Sequence, residues 1–195
     1  MTTENPSVLN DFREAGALLE GHFLLTSGLH SPKYLQCAQV MQNPAVAGRL
    51  CAQLARALDA NRIECVVGPA IGGILVAYEL ARALGIRAIY AERQDGKMTL
   101  RRGFAIRPRE RVLLCEDVVT TGGSLLEVRN VVTAAGGQVV AVASLVDRTS
   151  GRDTGLGLPL TALLKVDVPA YAAEECPMCR AGQPLVSPGR TGKKT

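Results

Sequence analysis

No apolar run in the 195-residue chain approaches the ~20 residues that a bilayer-spanning helix requires, which excludes a helical integral membrane protein. The N-terminus, Met-Thr-Thr-Glu-Asn-Pro, lacks a basic stretch followed by an apolar one, so a cytoplasmic protein is expected rather than an exported one. An excess of one charge sign is also lacking, with 22 Lys and Arg against 18 Asp and Glu. The formal net charge is +4, part of it from the terminal Arg190, Lys193 and Lys194, and this does not indicate nucleic acid. Two common phosphate loops are missing, Gly-x-x-x-x-Gly-Lys-Ser/Thr and Gly-x-Gly-x-x-Gly. With no internal repeat and no interdomain linker, the length suits one domain with a sizeable core and a smaller attachment.

Cysteine is present six times, but Cys37, Cys51, Cys65 and Cys115 are scattered through apolar segments, where a thiol behaves as a small core residue. Cys176 and Cys179 form a lone Cys-x-x-Cys. A closed zinc site needs a second pair of ligands, so the sequence leaves open inert or redox-labile thiols, a disulfide, or a structural metal shared between two subunits. His22 and His30, the only histidines, have no cysteine near them in the chain and read as surface residues.

What the chain does have is an alternation of helical and extended apolar spacing. Asn5-Pro6 reads as a helix cap with proline at the first helical position, and Val8, Phe12, Ala15 and Leu19 continue at helical spacing to Gly21. Residues 21–36 read as a small hairpin-like unit: Phe23 and Leu25 alternate, Ser27-Gly28 turns, and Tyr34 begins a second extended piece. Asn43-Pro44 caps a helix whose Val46, Leu50, Leu54 and Leu58 form one stripe. A buried strand at 63–67 runs into Gly68-Pro69-Ala70-Ile71-Gly72-Gly73, and a helix follows through Ile74, Tyr78, Ala81 and Leu84 to Gly85. That loop suits an anion at a helix N-terminus, although tight packing alone would also explain its glycines.

After a strand at 86–91, residues 92–104 turn polar, and Arg93, Lys97, Arg101 and Arg102 gather positive charge in what reads as a mobile loop. A solvated charged hairpin is the simpler reading. Without an aromatic stacking ladder, these cations suit closure over a charged leaving group better than nucleic-acid binding. A helix through Val128, Val131 and Ala135, a long apolar strand at 138–146 ending at Asp147-Arg148, and a strand at 162–168 complete the pattern. It predicts an α/β fold, a mainly parallel sheet flanked by helices, with ligands outside the carboxyl ends of the strands. The Pro/Gly-rich tail from Gln183 reads as mobile.

Residues 111–124 change character twice. Val112, Leu113, Leu114 and Cys115 suit a strand buried on both faces; Glu116 and Asp117 appear where it should end. Thr120, Thr121, Gly122, Gly123 and Ser124 then supply hydroxyls and pliable backbone before a helix near Leu125. Such a loop holds phosphate on N–H groups and the helix dipole, while the carboxylates accept from sugar hydroxyls. The ligand expected from these residues is a ribose phosphate.

This stretch resembles the diphosphoribosyl-binding signature of type I phosphoribosyltransferases: an apolar strand, two acids, and a Thr-Thr-Gly loop. The unit Phe23-x-Leu25-x-Ser27-Gly28-x-x-Ser31-Pro32-x-Tyr34 is similar to the base-binding hood of the orotate phosphoribosyltransferase family, and Ser144-Leu-Val-Asp-Arg148 to the segment whose arginine binds the orotate carboxylate. The resemblance implies a type I phosphoribosyltransferase fold, with an N-terminal helix and hood at 1–40, an α/β core at 41–170 and a C-terminal segment at 171–195. It also implies transfer of the phosphoribosyl group from 5-phosphoribosyl 1-diphosphate to orotate, with Mg2+ carried by the diphosphate substrate. Glu116, Asp117, Val118, Val119 and 120–124 would bind ribose and its 5'-phosphate; Ala70, Ile71, Gly72 and Gly73 would take diphosphate; Tyr34, Thr120 and Arg148 would take orotate. In the family the basic loop covers the neighbouring subunit's site, so Arg93 and Lys97, with Asp117, would be catalytic in a homodimer.

The chain departs from the family pattern at Thr26, where many members have lysine, and in the loop, where Arg93-Gln94-x-x-Lys97-x-Thr99 carries fewer cations. Lys33, Arg101 and Arg102 are candidate substitutes. Rival readings are a purine phosphoribosyltransferase and a non-catalytic regulator that senses the ribosyl diphosphate; no helix-turn-helix extension supports the latter.

Overall fold

The computed structural model describes residues 6–25 and 28–188. The expected cap at Asn5, Thr26 and Ser27 of the hood, and Arg190, Lys193 and Lys194 lie outside the described residues.

Helix α1 (Pro6–Glu14) buries Val8 and Phe12 but does not reach Leu19, as the helical spacing had suggested. Gly16 takes φ +64°, Ala17 N–H donates to the Phe12 carbonyl and Gly16 N–H to that of Arg13, a left-handed cap that ends the helix early. Strands β1 (Leu18–Leu24) and β2 (His30–Leu35) then form a separate antiparallel pair, so the second extended piece starts at His30, ahead of Tyr34. The register slips between Glu20 and Phe23, and this bulge buries the consecutive residues His22 and Phe23, against strict alternation.

Helix α2 (Cys37–Met41) leads to α3 (Pro44–Arg56), where the Asn43 side chain accepts from the N–H groups of Ala45 and Val46, as its sequence predicts. The main sheet contains β3 (Cys65–Pro69), β4 (Arg87–Gln94), β5 (Lys97–Leu100), β6 (Arg111–Val119), β7 (Gln138–Asp147) and β8 (Leu160–Lys165), in the order β5-β4-β3-β6-β7-β8. All pairs are parallel except β4 with β5. Helix α4 (Gly72–Leu84) follows β3 and ends at Gly85 with φ +70°; α5 (Gly123–Ala134) follows β6. β3 and β8 begin two residues away from the spans read from apolar runs, β3 later and β8 earlier.

Alternation within the strands explains the two-sided core. Val66, Leu113, Cys115 and Leu145 face the layer containing Leu50, Leu54 and Leu80 of α3 and α4, while Val67, Val112, Leu114 and Val142 face Leu125, Val128 and Val132 of α5. These side chains are almost fully buried, each contributing about 1.5–3 kcal/mol relative to exposure. Both layers meet on β6, which fixes the stretch that carries the acidic pair.

Candidate active site

β6 extends through Glu116 and Asp117 to Val119, so the acids lie within the strand's last residues rather than after it. Pairing explains the extra length: Glu116 is opposite Ser144, and Val119 opposite Asp147. The Arg148 N–H donates to the Val119 carbonyl at 2.8 Å, and Asp147 Oδ1 accepts from Thr149 N–H, holding the end of β7 beside Thr120.

The N-cap residues of α4 and α5 make no side-chain cap, in contrast to Asn43 of α3; Gly123 N–H donates at 3.4 Å to Thr121 Oγ1, a long bond that an anion at this helix start would displace. Gly122 precedes α5 with φ +80°; a β-carbon there would lie 2.8 Å from Thr154 Cβ. The loop 68–73, which contains a cis peptide between Ala70 and Ile71, folds against the acidic pair: a β-carbon on Gly72 would lie 2.7 Å from the Asp117 carboxyl group. One on Gly73 would approach Pro69 and the Cys115 carbonyl, so packing does require the glycines, and the same packing joins the two loops.

Burial, and then the neighbouring Asp117 charge, push Glu116 up to about 8. Asp117 is also raised by burial, opposed by the hydrogen bond from Val118 N–H to its Oδ1. The pair is therefore poised to share hydrogen bonds with hydroxyls rather than to stand as two solvated charges. Burial lowers the Arg148 guanidinium from its ordinary range, with Tyr34 and Cys37 acting in the opposite direction. Among the described residues Arg148 has no ion-pair partner.

A cavity of about 330 Å³ gathers Tyr34 from the hood, Val118, Thr120 and Thr121 from the end of β6, and Arg148 beyond β7. Its walls include hood Leu25, and also Arg152 and Ser187, which sequence reasoning missed. Arg152 lies one short loop beyond Arg148 and donates to the Thr149 carbonyl; only its spacing from Arg148 hinted at a second cation. Val119 is in the core, and Glu116, Asp117, residues 122–124 and loop 70–73 lie outside the cavity walls.

Arg93 and Lys97 are not brought to this cavity. Residues 92–104 include an ordered hairpin rather than one mobile loop: β4 and β5 join through Asp95-Gly96, both at positive φ, a turn whose twist suits paired strands. Arg93 pairs with Glu127 of α5 at 2.7 Å, and Lys97 is exposed beside the turn. The candidate substitute cations are engaged elsewhere, Arg101 and Arg102 with Glu92 and Lys33 with Glu20.

The four scattered cysteines are buried free thiols, as expected. His22 and His30, expected on the surface, are instead only 4% and 5% exposed and lie against Cys176 and Cys179, near the short helix α6 (Pro177–Arg180). The bulge in β1 accounts for the difference by turning His22 inward. The segment from Gln183 is also less independent than expected, since Val186 pairs with Phe23.

A parallel sheet whose carboxyl end presents two uncapped helices, an acidic pair and a Thr-Thr-Gly-Gly turn defines a phosphoribosyl transferase domain, and the family model of that description matches residues 36–158. An orotate phosphoribosyltransferase of Heliobacterium modesticaldum is 56% identical over 184 residues, 93% of this chain and 96% of that one. A crystal structure of orotate phosphoribosyltransferase from Aeropyrum pernix superposes with a TM-score of 0.67 at 26% identity, over 82% of this chain and 93% of that one. Adenine phosphoribosyltransferase from Thermoanaerobacter pseudethanolicus, at 20% identity and a TM-score of 0.60 over 69% of this chain and 88% of that one, shares the fold alone. The chain belongs to the orotate phosphoribosyltransferase family.

Proposed function

We propose that the chain transfers the phosphoribosyl group from 5-phosphoribosyl 1-diphosphate to orotate, giving orotidine 5'-phosphate and diphosphate in pyrimidine (UMP) biosynthesis. The observation that carries this reading is the single cavity in which hood Tyr34, phosphate-loop Thr120 and the half-buried, unpaired Arg148 meet. Residues 120–124 hold the 5'-phosphate, Glu116 and Asp117 accept from the ribose hydroxyls, and residues 70–73 receive the diphosphate. Arg148 takes the orotate carboxylate. A purine base offers Arg148 no anion, which disfavours the purine reading.

As the bond from the ribosyl carbon to diphosphate weakens, its electron pair leaves with the diphosphate oxygen and positive charge grows on the sugar. No protein nucleophile is needed. Asp117 and the two loops orient the sugar against the base. Mg2+ takes oxygen donors and would arrive on the diphosphate, where the carbonyls of loop 70–73 would be the protein oxygens nearest to it. When carried in on the diphosphate, Mg2+ would neutralise charge on the leaving group.

The reading includes a homodimer in which Arg93 and Lys97 reach the partner's diphosphate. Its support is the apolar stripe that Ile71, Leu75 and Tyr78 expose from the diphosphate loop into α4, with Ile71 86% exposed. Three parts are proposed along the chain: the hood at 1–40, the catalytic core at 41–170 and the C-terminal segment at 171–195. A cytoplasmic site is supported by the unpaired buried thiols. No helix among the described residues is long and apolar enough to cross a membrane.

The test follows orotate absorbance with 5-phosphoribosyl 1-diphosphate and Mg2+, with adenine, guanine, hypoxanthine and uracil assayed in parallel by product detection. Turnover of orotate alone is expected. Turnover of another base instead would overturn the base assignment, and binding of the sugar diphosphate without turnover would favour a regulator.

A further inference from the structure

Outside the cavity, four side chains converge that the transfer reaction does not use. His22 comes from β1, His30 from β2, and Cys176 and Cys179 from the start and third residue of one turn at α6. Their ligand atoms all lie within 4.8 Å of one another. His22 Nε2 is 3.5 Å from Cys176 Sγ, 3.7 Å from Cys179 Sγ and 2.9 Å from His30 Nδ1, which is 3.2 Å from Cys179 Sγ. Zinc bonds of about 2.3 Å to sulfur and 2.0–2.1 Å to nitrogen imply tetrahedral edges of about 3.3–3.8 Å. The two sulfur contacts of His22 fall in that range, the other two quoted distances need a few tenths of an ångström of expansion, and the remaining pairs, within 4.8 Å, close by up to about 1 Å as the ligands gather on the ion.

The tautomer also fits. His22 Nδ1 lies 2.9 Å from the Gln183 carbonyl, to which it donates as N–H, so Nε2 presents its lone pair to the cluster. Two thiols and two imidazoles suit Zn2+; they do not suit Mg2+, which takes oxygen. We propose that His22, His30, Cys176 and Cys179 bind Zn2+ as a closed structural site that clamps the C-terminal segment onto the hood.

On binding, both thiols lose their protons, and two thiolates balance the charge of the ion beside two neutral imidazoles. The backbone is already joined on both sides of the cluster: His30 and Tyr171 exchange both backbone hydrogen bonds, and Val186 N–H donates to the His22 carbonyl. Ala170 and Ser187, next to those bridges, and Leu24, two residues beyond His22, all line the cavity. The ion therefore braces the wall against which the base lies, without touching substrate.

The test uses the full chain, purified without a histidine tag under reducing conditions. Elemental analysis is expected to find about one zinc per chain. Growth with Co2+ should give tetrahedral ligand-field bands and a thiolate-to-cobalt charge-transfer band, all lost in Cys176→Ser/Cys179→Ser. The zinc-depleted chain should melt lower and show a KM for orotate raised several-fold more than that for the sugar diphosphate. A freshly isolated chain that holds neither Zn2+ nor Co2+, a Cys176–Cys179 disulfide in that chain, or full zinc content in the double variant would each overturn the proposal. If the variant does not fold, the Co2+ spectrum of the unaltered chain decides. Metal analysis needs no substrate, so its failure is separate from failure of the orotate reading.

Discussion

Arg148 keeps a half-buried charge with no ion-pair partner among the described residues, and burial holds Glu116 in its neutral form. For Arg148 the missing partner is an anion, so Arg148→Ala is expected to weaken orotate by ~2–5 kcal/mol if the pair is desolvated, and the sugar diphosphate far less. Separate titrations of the two ligands check this, and equal losses would remove Arg148 from the base site. Glu116 makes a prediction about stability. Its carboxyl rises from the model-peptide range to about 8 in the fold, so between those values the folded chain keeps a proton that the unfolded chain has lost. Stability should therefore fall as pH rises from about 4.5 towards 8, and Glu116→Gln, which cannot ionise, should flatten that fall. After screening at this partly exposed position, a gain of about 1–2 kcal/mol at pH 8 is expected, with little change at pH 4. Denaturant melts at the two pH values measure it; parallel curves for both proteins would contradict the burial argument. Neither arginine nor glutamate revealed its state in sequence, because the burial that shifts each is supplied by residues remote in the chain.

At the level of elements, the legible parts were those whose signals are local. The Asn43 cap, the Gly85 stop and the apolar run of β6 each act within a turn or a strand, and the structure repeats them. The bulge in β1 was not legible, because it depends on the register with β2, and with it went the inward turn of His22. The hairpin β4-β5 was only half legible: Asp95-Gly96 is a turn signal, but the density of charge around it masked the pairing. Spacing could not join His22 and His30 to Cys176 and Cys179, about 150 residues away, since no local pattern spans that distance. The junction between loop 70–73 and β6 is likewise tertiary, and it can be probed directly. Gly72→Ala should push the Asp117 carboxyl aside and lower kcat/KM on the order of 100-fold, as a displacement near 1 Å does at a reacting centre. Gly85→Ala is the control. It strains a left-handed cap with open space around it, so it should cost about 1 kcal/mol of stability and leave activity intact. Steady-state kinetics beside thermal melts separate the two; equal activity in both variants would show that the close approach to Asp117 has no role.

For the whole molecule, one chain supplies every group of the proposed site except the cations meant for the leaving diphosphate. Arg93 is tied to Glu127 and Lys97 is at the hairpin tip, while the apolar stripe Ile71, Leu75 and Tyr78 begins within the diphosphate loop itself. A dimer formed through that stripe would cover exposed apolar area and bring a second chain beside the loop in one step. Leu75→Asp/Tyr78→Asp should then sediment as a monomer and lose turnover while still binding orotate at Arg148. Mixing supplies the stronger test. A Lys97→Ala chain keeps an intact acidic pair, and an Asp117→Asn chain keeps an intact hairpin, so a mixed dimer contains one site with both. Activity of the mixture should recover towards a quarter of the unaltered level, because random pairing makes about half of the dimers mixed and each of these has one complete site of two. Recovery requires the hairpin to act across the interface, whereas verified mixed dimers that stay inactive would show that Lys97 does not serve the partner's site.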